Sequence, residues 1–211
     1  MSNKILLLCL IVLIGCSNQG KEEYFTGTVE YAYSYSSDSL NADSLTRTRF
    51  AKGVFRYDTI NYQSHFIGKD TATHYYSGRL NKSISETDGN YECEDYGVAN
   101  DSVLSYKLYD SDEKVLGYSC KILELEKKNS WVKYYVSNDL RIAPATFKQH
   151  RAYNWDIYGE KAGGGLILKM EHRLKKITLS GIATQINRAD KNFNALEIDE
   201  SELEKACTDK N

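Results

Sequence analysis

The residues that could carry out catalysis are scattered along the chain rather than gathered in a motif. Four histidines, His65, His74, His150 and His172, sit in unrelated sequence surroundings. The sequence contains no Gly-x-Ser-x-Gly turn, the arrangement that presents a nucleophilic serine. Residues 161–165 lack the spacing and the terminal Lys-Ser/Thr of a phosphate-binding loop. We therefore expect a protein that is not an enzyme and that uses no cofactor.

Carboxylates and thiols are likewise not spaced as metal ligands. Asp110, Asp112 and Glu113 lie close enough in sequence to bind calcium, but the ligand spacing and the central glycine of a calcium loop are missing. No Cys-x-x-Cys or paired Cys/His spacing occurs either. We expect these acidic residues to lie at the solvated tip of a hairpin, and we expect no metal site.

A short form that could support modification of hydroxyl groups occurs five times, which is more often than composition predicts. In each copy an aspartate precedes Ser or Thr and then a small or apolar residue, so that the candidate acceptors are Ser39, Ser44, Thr59, Thr71 and Ser102. The form resembles a periplasmic O-glycosylation sequon of one Gram-negative lineage, which implies exposed hydroxyls on loops or strand edges. The alternative is ordinary turn chemistry, because Asp and Ser favour turns.

The first sixteen residues have the pattern of a secretory signal. Lys4 precedes an unbroken apolar run, Ile5–Ile14, which at ten residues is short of the roughly 20 that a membrane-spanning helix needs. The closing Leu-Ile-Gly-Cys resembles the bacterial lipobox. This resemblance implies cleavage before Cys16 and a diacylglyceryl thioether on its sulfur. The alternatives are an ordinary signal peptide that contains a cysteine, or a short uncleaved anchor.

These features divide the chain into three parts: a lipoprotein signal peptide (1–15), a lipidated cysteine with a polar tether (16–23) and a single β half-barrel domain (24–211). Within the tether, Lys21-Glu22-Glu23 resembles the tags that send some lipoproteins to the cell surface, although a polar linker would look the same. We expect the protein in the bacterial cell envelope, held on the outer membrane by its lipid, on the periplasmic face or at the cell surface.

Three cysteines, Cys93, Cys120 and Cys207, remain in the mature chain, in a compartment where disulfides persist. Three thiols allow one bridge, and the sequence alone does not choose among the three pairings. We favour Cys93–Cys120, since both residues have strand-like neighbours. Three buried free thiols are the alternative.

Composition indicates a folded domain that does not bind nucleic acid. The formal net charge is −2, and clustered Lys and Arg, which phosphate binding requires, are absent. The densest basic pairs, Lys127-Lys128 and Lys175-Lys176, are expected at solvated strand or turn positions. An apolar fraction of 41% and 17 tyrosines are well above what a disordered chain carries.

Hydrophobic alternation predicts a mainly β fold. From Phe25 to Tyr35 apolar and polar residues alternate, which is typical of a half-buried strand. Similar runs follow at 47–59, 62–67, 71–84, 103–108, 118–126, 131–136, 166–172 and 174–186. Residues 144–158 break the alternation and predict a short helix or a packed loop, and residues 201–205 predict a last helical turn. We expect a curved antiparallel sheet or half-open barrel with one short helical insertion.

Two segments resemble a known family. Residues 115–120, with Gly-Tyr-Ser-Cys, and residues 126–140, with Trp-Val-Lys-Tyr-Tyr-Val and then Asp-Leu, resemble a recurrent hairpin. It occurs in uncharacterised secreted β-domain families related to the lipoprotein-carrier (Lol-type) half-barrels. The resemblance implies a half-barrel whose concave face, covered by a helix, holds an acyl chain or another apolar ligand.

A curved sheet with an imperfect cover leaves an apolar cavity, and such cavities are where ligands bind. The candidate lining residues are Tyr31, Tyr33, Val54, Tyr76, Trp131, Tyr135 and Trp155. Ordinary core packing is the alternative for each of them, because aromatic side chains bury large areas without a ligand.

Two functions follow as hypotheses. In the first, the chain is a non-enzymatic lipoprotein that is anchored to the membrane and binds a lipid or other apolar molecule. In the second, it is a structural or protein-interaction module of the outer membrane, with or without O-glycosylation, whose partner is another envelope protein.

Overall fold

The computed structural model describes residues 23–208, apart from residues 88, 89, 145 and 191. The expected signal peptide at 1–15, the expected lipidation site Cys16 and nearly all of the expected tether lie outside the described residues. None of the helices within the described residues is long and apolar enough to span a membrane.

The described part of the chain forms one antiparallel sheet of eleven strands, which confirms the expected mainly β class. The sheet order is β6-β5-β4-β3-β2-β1-β11-β10-β9-β8-β7, so that it stays open between the edge strands β6 and β7. The strands are β1 (Gly27–Ser36), β2 (Phe50–Tyr57), β3 (Tyr62–Gly68), β4 (Thr71–Ser77), β5 (Lys82–Thr87), β6 (Asn90–Asp95), β7 (Val103–Val115), β8 (Tyr118–Lys127), β9 (Ser130–Arg141), β10 (Gly165–Leu174) and β11 (Ile177–Arg188).

Short helices accompany the sheet. They are α1 (Ala42–Thr48), a 3-10 turn (Ala152–Asn154), α2 (Trp155–Lys161) and α3 (Glu200–Thr208). Helix α2 lies in the expected insertion and α3 contains the helical turn expected at 201–205, whereas α1 is not expected from the sequence. Helix α1 begins where the Asn41 side chain accepts a hydrogen bond from the Ser44 N–H at 3.0 Å, a common N-cap arrangement.

Two turns differ from expectation. The expected strand at 71–84 is two strands, because residues 78–81 form a turn in which Asn81 has φ 51°. The acidic group at 110–113 does not form a hairpin tip: it is a register shift inside β7 between Asp110 and Lys114. The turn itself lies at Leu116 and Gly117, which both have positive φ and so suit a two-residue hairpin loop.

Alternation along β1 defines the two faces of the sheet. Val29, Tyr31 and Tyr33 are buried on what we call the inner face, while their neighbours in sequence lie on the outer face and are more exposed. In β1 this pattern is as expected from the sequence, and the pairing register carries it across the sheet.

Residues 142–164, which connect β9 to β10, cover the inner face, and we call them the crossover segment. Phe147 and Tyr158 are buried there, and the Tyr158 hydroxyl donates a hydrogen bond to the Gly165 carbonyl. This segment contains the 3-10 turn and α2, where the sequence predicts a short helix or a packed loop.

The crossover segment is also tied to the loop that follows β6. The Tyr96 carbonyl accepts hydrogen bonds from the backbone N–H groups of Arg151 at 2.7 Å and Ala152 at 3.1 Å. The segment therefore contacts the β6 side of the sheet as well as the strands that it connects.

The disulfide differs from the favoured pairing. Cys93 is bonded to Cys207, with a Cα–Cα distance of 5.2 Å, and Cys120 is a buried free thiol. The cause is the position of α3, whose Leu203 packs with Tyr75 and Ile84 on the outer face. Cys93 is opposite Ile84 in the register, so Cys207 reaches it from the same helix. Cys120, in β8, lies in the other half of the sheet.

Candidate ligand-binding cavity

The inner face of the sheet and the crossover segment enclose a cavity of about 360 Å³ that is partly open to solvent. Small-molecule sites usually measure roughly 300–1,000 Å³, so this cavity admits one small ligand. Most of its wall is aromatic. The lining residues are Tyr31, Tyr33, Tyr35, Phe50, Phe55, Tyr57, Tyr62, Ser64, Phe66, His74, Tyr96, Lys127, Tyr134, Tyr153, Trp155, Ile167, Met170, His172 and Leu179.

Strand register explains why these side chains converge. Val29 in β1 is opposite Phe55 in β2, and Phe55 is opposite Ser64 in β3, so all three share the inner face. On the other side of β1, Tyr33 is opposite Gly181 in β11, which is opposite Met170 in β10. Alternate residues of β1, β2 and β3 therefore share the inner face. In β10 a register shift between Ile167 and Lys169 allows both Ile167 and Met170 to line the cavity.

Two glycines make room for the ring of Tyr33. A Cβ atom on Gly53 would lie 2.8 Å from the Tyr33 hydroxyl oxygen, and one on Gly181 would lie 2.8 Å from the Tyr33 Cε1 atom. Because these distances are shorter than real Cβ contacts, larger residues would push the ring away from the sheet. Glycine at these two positions thus allows the Tyr33 ring to lie against the sheet.

Some tyrosine hydroxyls in the wall of the cavity donate hydrogen bonds to backbone carbonyls. The Tyr31 hydroxyl donates to the Ile167 carbonyl at 2.6 Å, and the Tyr35 hydroxyl donates to the Phe50 carbonyl at 3.0 Å. Burial raises the pKa of Tyr134 to about 12, and it raises the pKa of Tyr31 well above the usual value. These phenols are therefore neutral at physiological pH, and the wall presents apolar ring faces.

Two residues of the wall, Tyr62 and Trp155, belong to a stack of aromatic rings that extends behind the wall. Tyr62 stacks on Tyr76 at a centroid distance of 4.9 Å and on Trp155 at 5.1 Å. The Tyr62 hydroxyl is 2.9 Å from Nε2 of His150, which is fully buried. Burial lowers the pKa of His150 to about 3, so its ring is neutral and serves as one more packing element.

One end of the cavity is polar, and its central group is Lys127. This lysine is only 6% exposed, so the solvated strand or turn position expected from its sequence is wrong. It follows Leu123 and Leu125 on the inner-face positions of β8, both fully buried, so alternation directs its side chain inward. Its ammonium group is 3.4 Å from the Tyr153 carbonyl oxygen.

His172 lines the same end from β10. Burial, and then the charge of Lys127, lower the pKa of His172 to about 4, so its ring is neutral at physiological pH. Its Nε2 atom is buried, and among the described residues it has no hydrogen-bond partner. A buried polar atom without a partner is uncommon and calls for an explanation such as a bound water or ligand.

Of the seven side chains considered for the cavity, Tyr31, Tyr33 and Trp155 lie in its wall. Tyr76 does not, because it is fully buried behind Tyr62 in the aromatic stack.

The remaining three candidates, Val54, Trp131 and Tyr135, lie on the outer face, one residue out of phase with Phe55 and Tyr134. On that face the Trp131 ring lies 5.3 Å from the Arg173 guanidinium carbon. The cavity positions expected for Val54, Trp131 and Tyr135 are therefore wrong. The face that each of these residues occupies is determined by how its strand pairs with the neighbouring strands.

Several lining residues are missed by sequence reasoning, notably Phe55, Phe66, Lys127 and His172. Phe55, Phe66 and His172 could have been found from the phase of β1, extended through the pairings of β2 with β3 and of β11 with β10. Lys127 could have been found from its alternation with Leu123 and Leu125 along β8.

The five candidate acceptor hydroxyls are all exposed. Ser39 precedes α1, Ser44 lies within it, Thr59 follows β2, Thr71 begins β4 and Ser102 precedes β7. This exposure satisfies the geometric requirement for glycosylation. The modification itself stays a prediction.

No protein-family model matches the chain, and no curated protein is significantly similar to it. Among solved structures it is similar to PNGF-II, with a TM-score of 0.46 and 14% identity in one crystal form and 0.44 and 15% in another. These alignments cover 84% of this chain but 29% and 30% of PNGF-II, so the chain spans less than a third of that protein. LprF from Mycobacterium bovis aligns with a TM-score of 0.32 and 5% identity, over 81% of this chain and 90% of LprF. Likenesses this distant assign no function, which must be argued from the cavity itself.

Proposed function

We propose that the chain is a non-enzymatic envelope lipoprotein, anchored to the outer membrane through Cys16, whose cavity binds a lipid or another apolar ligand. The observation that carries the proposal is an aromatic cavity of about 360 Å³ that is partly open to solvent. An apolar ligand gains about 0.8 kcal/mol for each methylene that it buries there. The volume favours a single-chain ligand over a lipid with two long chains.

The side chains in the wall support binding rather than catalysis. Ser64 and His74 face each other across β3 and β4, but no hydrogen bond joins them among the described residues. A nucleophile and its base need to be about 2.6–3.2 Å apart, although such contacts are often looser without substrate. His172 is kept neutral beside Lys127. We therefore place the function in binding.

Interaction with another envelope protein is a second candidate, and it is favoured by the edge strand β7. Leu104, Tyr106 and Leu108 of β7 are 67%, 49% and 43% exposed. Exposed apolar residues on an unpaired edge are typical of surfaces that bind other proteins. This candidate gains weight if no apolar probe enters the cavity.

A tryptophan titration tests ligand binding. The chain has two tryptophans, of which Trp155 lines the cavity and Trp131 lies on the outer face. In the full chain carrying Trp131→Phe, dodecanol is expected to change the emission of Trp155 in a saturable way. Decanol, with two fewer methylenes, is expected to bind about tenfold more weakly. The Trp155→Phe chain should show no saturable change.

A cavity-filling substitution provides the matched control. Ser64→Phe places a ring in the cavity and is expected to weaken dodecanol binding about tenfold or more. His65→Phe adds a similar ring at the next residue, on the outer face, and should leave binding unchanged. Absence of saturable binding, or equal binding by both variants, would contradict the proposal.

A further inference from the structure

The polar end of the cavity contains a cation that the protein itself satisfies poorly. Lys127 is more than nine-tenths buried, and a buried ammonium is costly unless it is paired with charge and hydrogen bonds. Among the described residues its hydrogen-bond partner is the Tyr153 carbonyl at 3.4 Å, which is longer than a good hydrogen bond. Two of the three protons on the ammonium group therefore remain available.

Asp101, the acidic group whose charge acts on Lys127, does not supply the missing partner. Asp101 is close enough to raise the pKa of Lys127, against the larger lowering effect of burial. Its oxygens, however, accept hydrogen bonds from the Asn129 backbone N–H at 3.1 Å, the Asn129 side chain at 3.2 Å and the Ser130 hydroxyl at 2.7 Å. No Lys127–Asp101 ion pair occurs within the described residues.

The backbone that faces Lys127 is held in an uncommon conformation. Tyr153 and Asn154 both have positive φ, at 56° and 63°, which is rare for residues other than glycine. Hydrogen bonds from the Tyr153 N–H to the Asn100 side chain and from the Asn154 side chain to the Asp101 carbonyl maintain it. This end of the cavity is thus preorganised, as binding sites often are.

We propose that Lys127, with His172 beside it, binds the carboxylate of a single-chain amphiphile whose apolar body lies against the aromatic wall. The inference rests on the proposed function and adds the chemical class of the ligand. The carboxylate would accept the two free protons of the ammonium group and supply the negative charge that the site lacks. The neutral ring of His172 provides a further polar group at the same end.

Charge distinguishes this ligand from other apolar molecules. A cationic amphiphile would place a second positive charge beside Lys127, which is unfavourable in a desolvated site. A neutral alcohol would leave the ammonium group without a counter-charge. A phosphate monoester head carries a charge of about −1.5 to −2 at pH 7, more than the single charge of Lys127 balances, whereas a carboxylate carries one negative charge.

Calorimetric titration of the purified full chain with three probes of equal tail length tests the inference. The probes are dodecanoate, dodecanol and dodecyltrimethylammonium. Dodecanoate is expected to bind about tenfold or more tightly than dodecanol, since a hydrogen bond to a charged group contributes at least that factor. Dodecyltrimethylammonium is expected to bind more weakly than either.

Substitution of the lysine separates the head group from the tail. Lys127→Met keeps the length and removes the charge, so it should abolish the preference for dodecanoate while dodecanol still binds. Lys128→Met, at the exposed neighbouring residue, should keep the preference. Circular dichroism confirms that both variants are folded, and the comparison of probes on the unsubstituted chain stands without them.

Each outcome is decisive. Equal affinity for dodecanoate and dodecanol, or an unchanged preference in Lys127→Met, overturns the carboxylate site and leaves the apolar cavity intact. Tightest binding of dodecyltrimethylammonium overturns it as well. Failure of all three probes to bind overturns the proposed function itself, and the carboxylate site with it.

Discussion

Removal of the Cys93–Cys207 disulfide is expected to lower the free energy of unfolding by about 3–5 kcal/mol. The two cysteines are 114 residues apart, so the bond closes a long loop and restricts the unfolded chain strongly. It also fastens α3, which packs against β4, β5 and β6 near the open edge of the sheet. Urea unfolding of Cys207→Ala, with and without dithiothreitol, measures the effect.

The free thiol provides the control for this prediction. Cys120→Ala removes a buried sulfur from β8 and should cost no more than about 1–2 kcal/mol. Its stability should still fall when dithiothreitol is added, whereas Cys207→Ala should no longer respond. If Cys120→Ala instead removes the response to reductant, Cys120 is bonded and the pairing described above is wrong.

Acidification is expected to destabilise the protein before most carboxylates titrate. Burial lowers the pKa of His150 to about 3, against about 6.5 in the unfolded chain, so the unfolded state binds more protons between these values. This histidine therefore does not lower the free energy of unfolding above pH 6.5, and it lowers that free energy progressively as the pH falls from 6.5 to about 3. At pH 4.5 the loss from this histidine is about 2–3 kcal/mol. His172, whose pKa is about 4, acts in the same direction.

Urea unfolding from pH 7.5 to 4.5 tests this prediction. In His150→Gln the fall in unfolding free energy over this range should be smaller by about 2–3 kcal/mol, whatever the variant's stability at pH 7.5. Gln149→His adds an exposed histidine at the adjacent residue and should leave the pH dependence as it is in the original chain. Identical pH dependence in His150→Gln and the original chain would contradict a buried, neutral His150.

The fold class could be predicted because the pattern that determines it is local. Alternation from Phe25 to Tyr35 predicts β1 and the face that it buries, and the break at residues 144–158 predicts the crossover segment. Local patterns also gave two wrong predictions of secondary structure. The run at 71–84 alternates through a turn, and the run at 47–59, which predicts a strand, overlaps the end of α1.

The cavity could be predicted only in part, because its lining depends on long-range pairing. Tyr31 and Tyr33 share the clear alternation of β1, and Trp155 stands in the segment that breaks the pattern. Trp131 and Tyr135 have the right residue types but the wrong phase in β9, which only the pairing with β8 and β10 determines.

Lys127 shows the same limit most clearly. In sequence it is half of a basic pair beside a turn, which is typical of a solvated position. In the structure the inward phase of β8 and the cover provided by Tyr153 bury it. The disulfide is a similar case, since α3 reaches Cys93 only after the sheet has formed.

The central claim is that the cavity on the inner face holds a ligand with one apolar chain. Native mass spectrometry of the chain purified from the cells that produce it, alongside Ser64→Phe and His65→Phe, tests it most directly. We expect one small adduct per chain, with the mass of a single-chain carboxylic acid, in the original protein and in His65→Phe but not in Ser64→Phe. A chain without any adduct that also remains free after incubation with dodecanoate and dodecanol would contradict the claim.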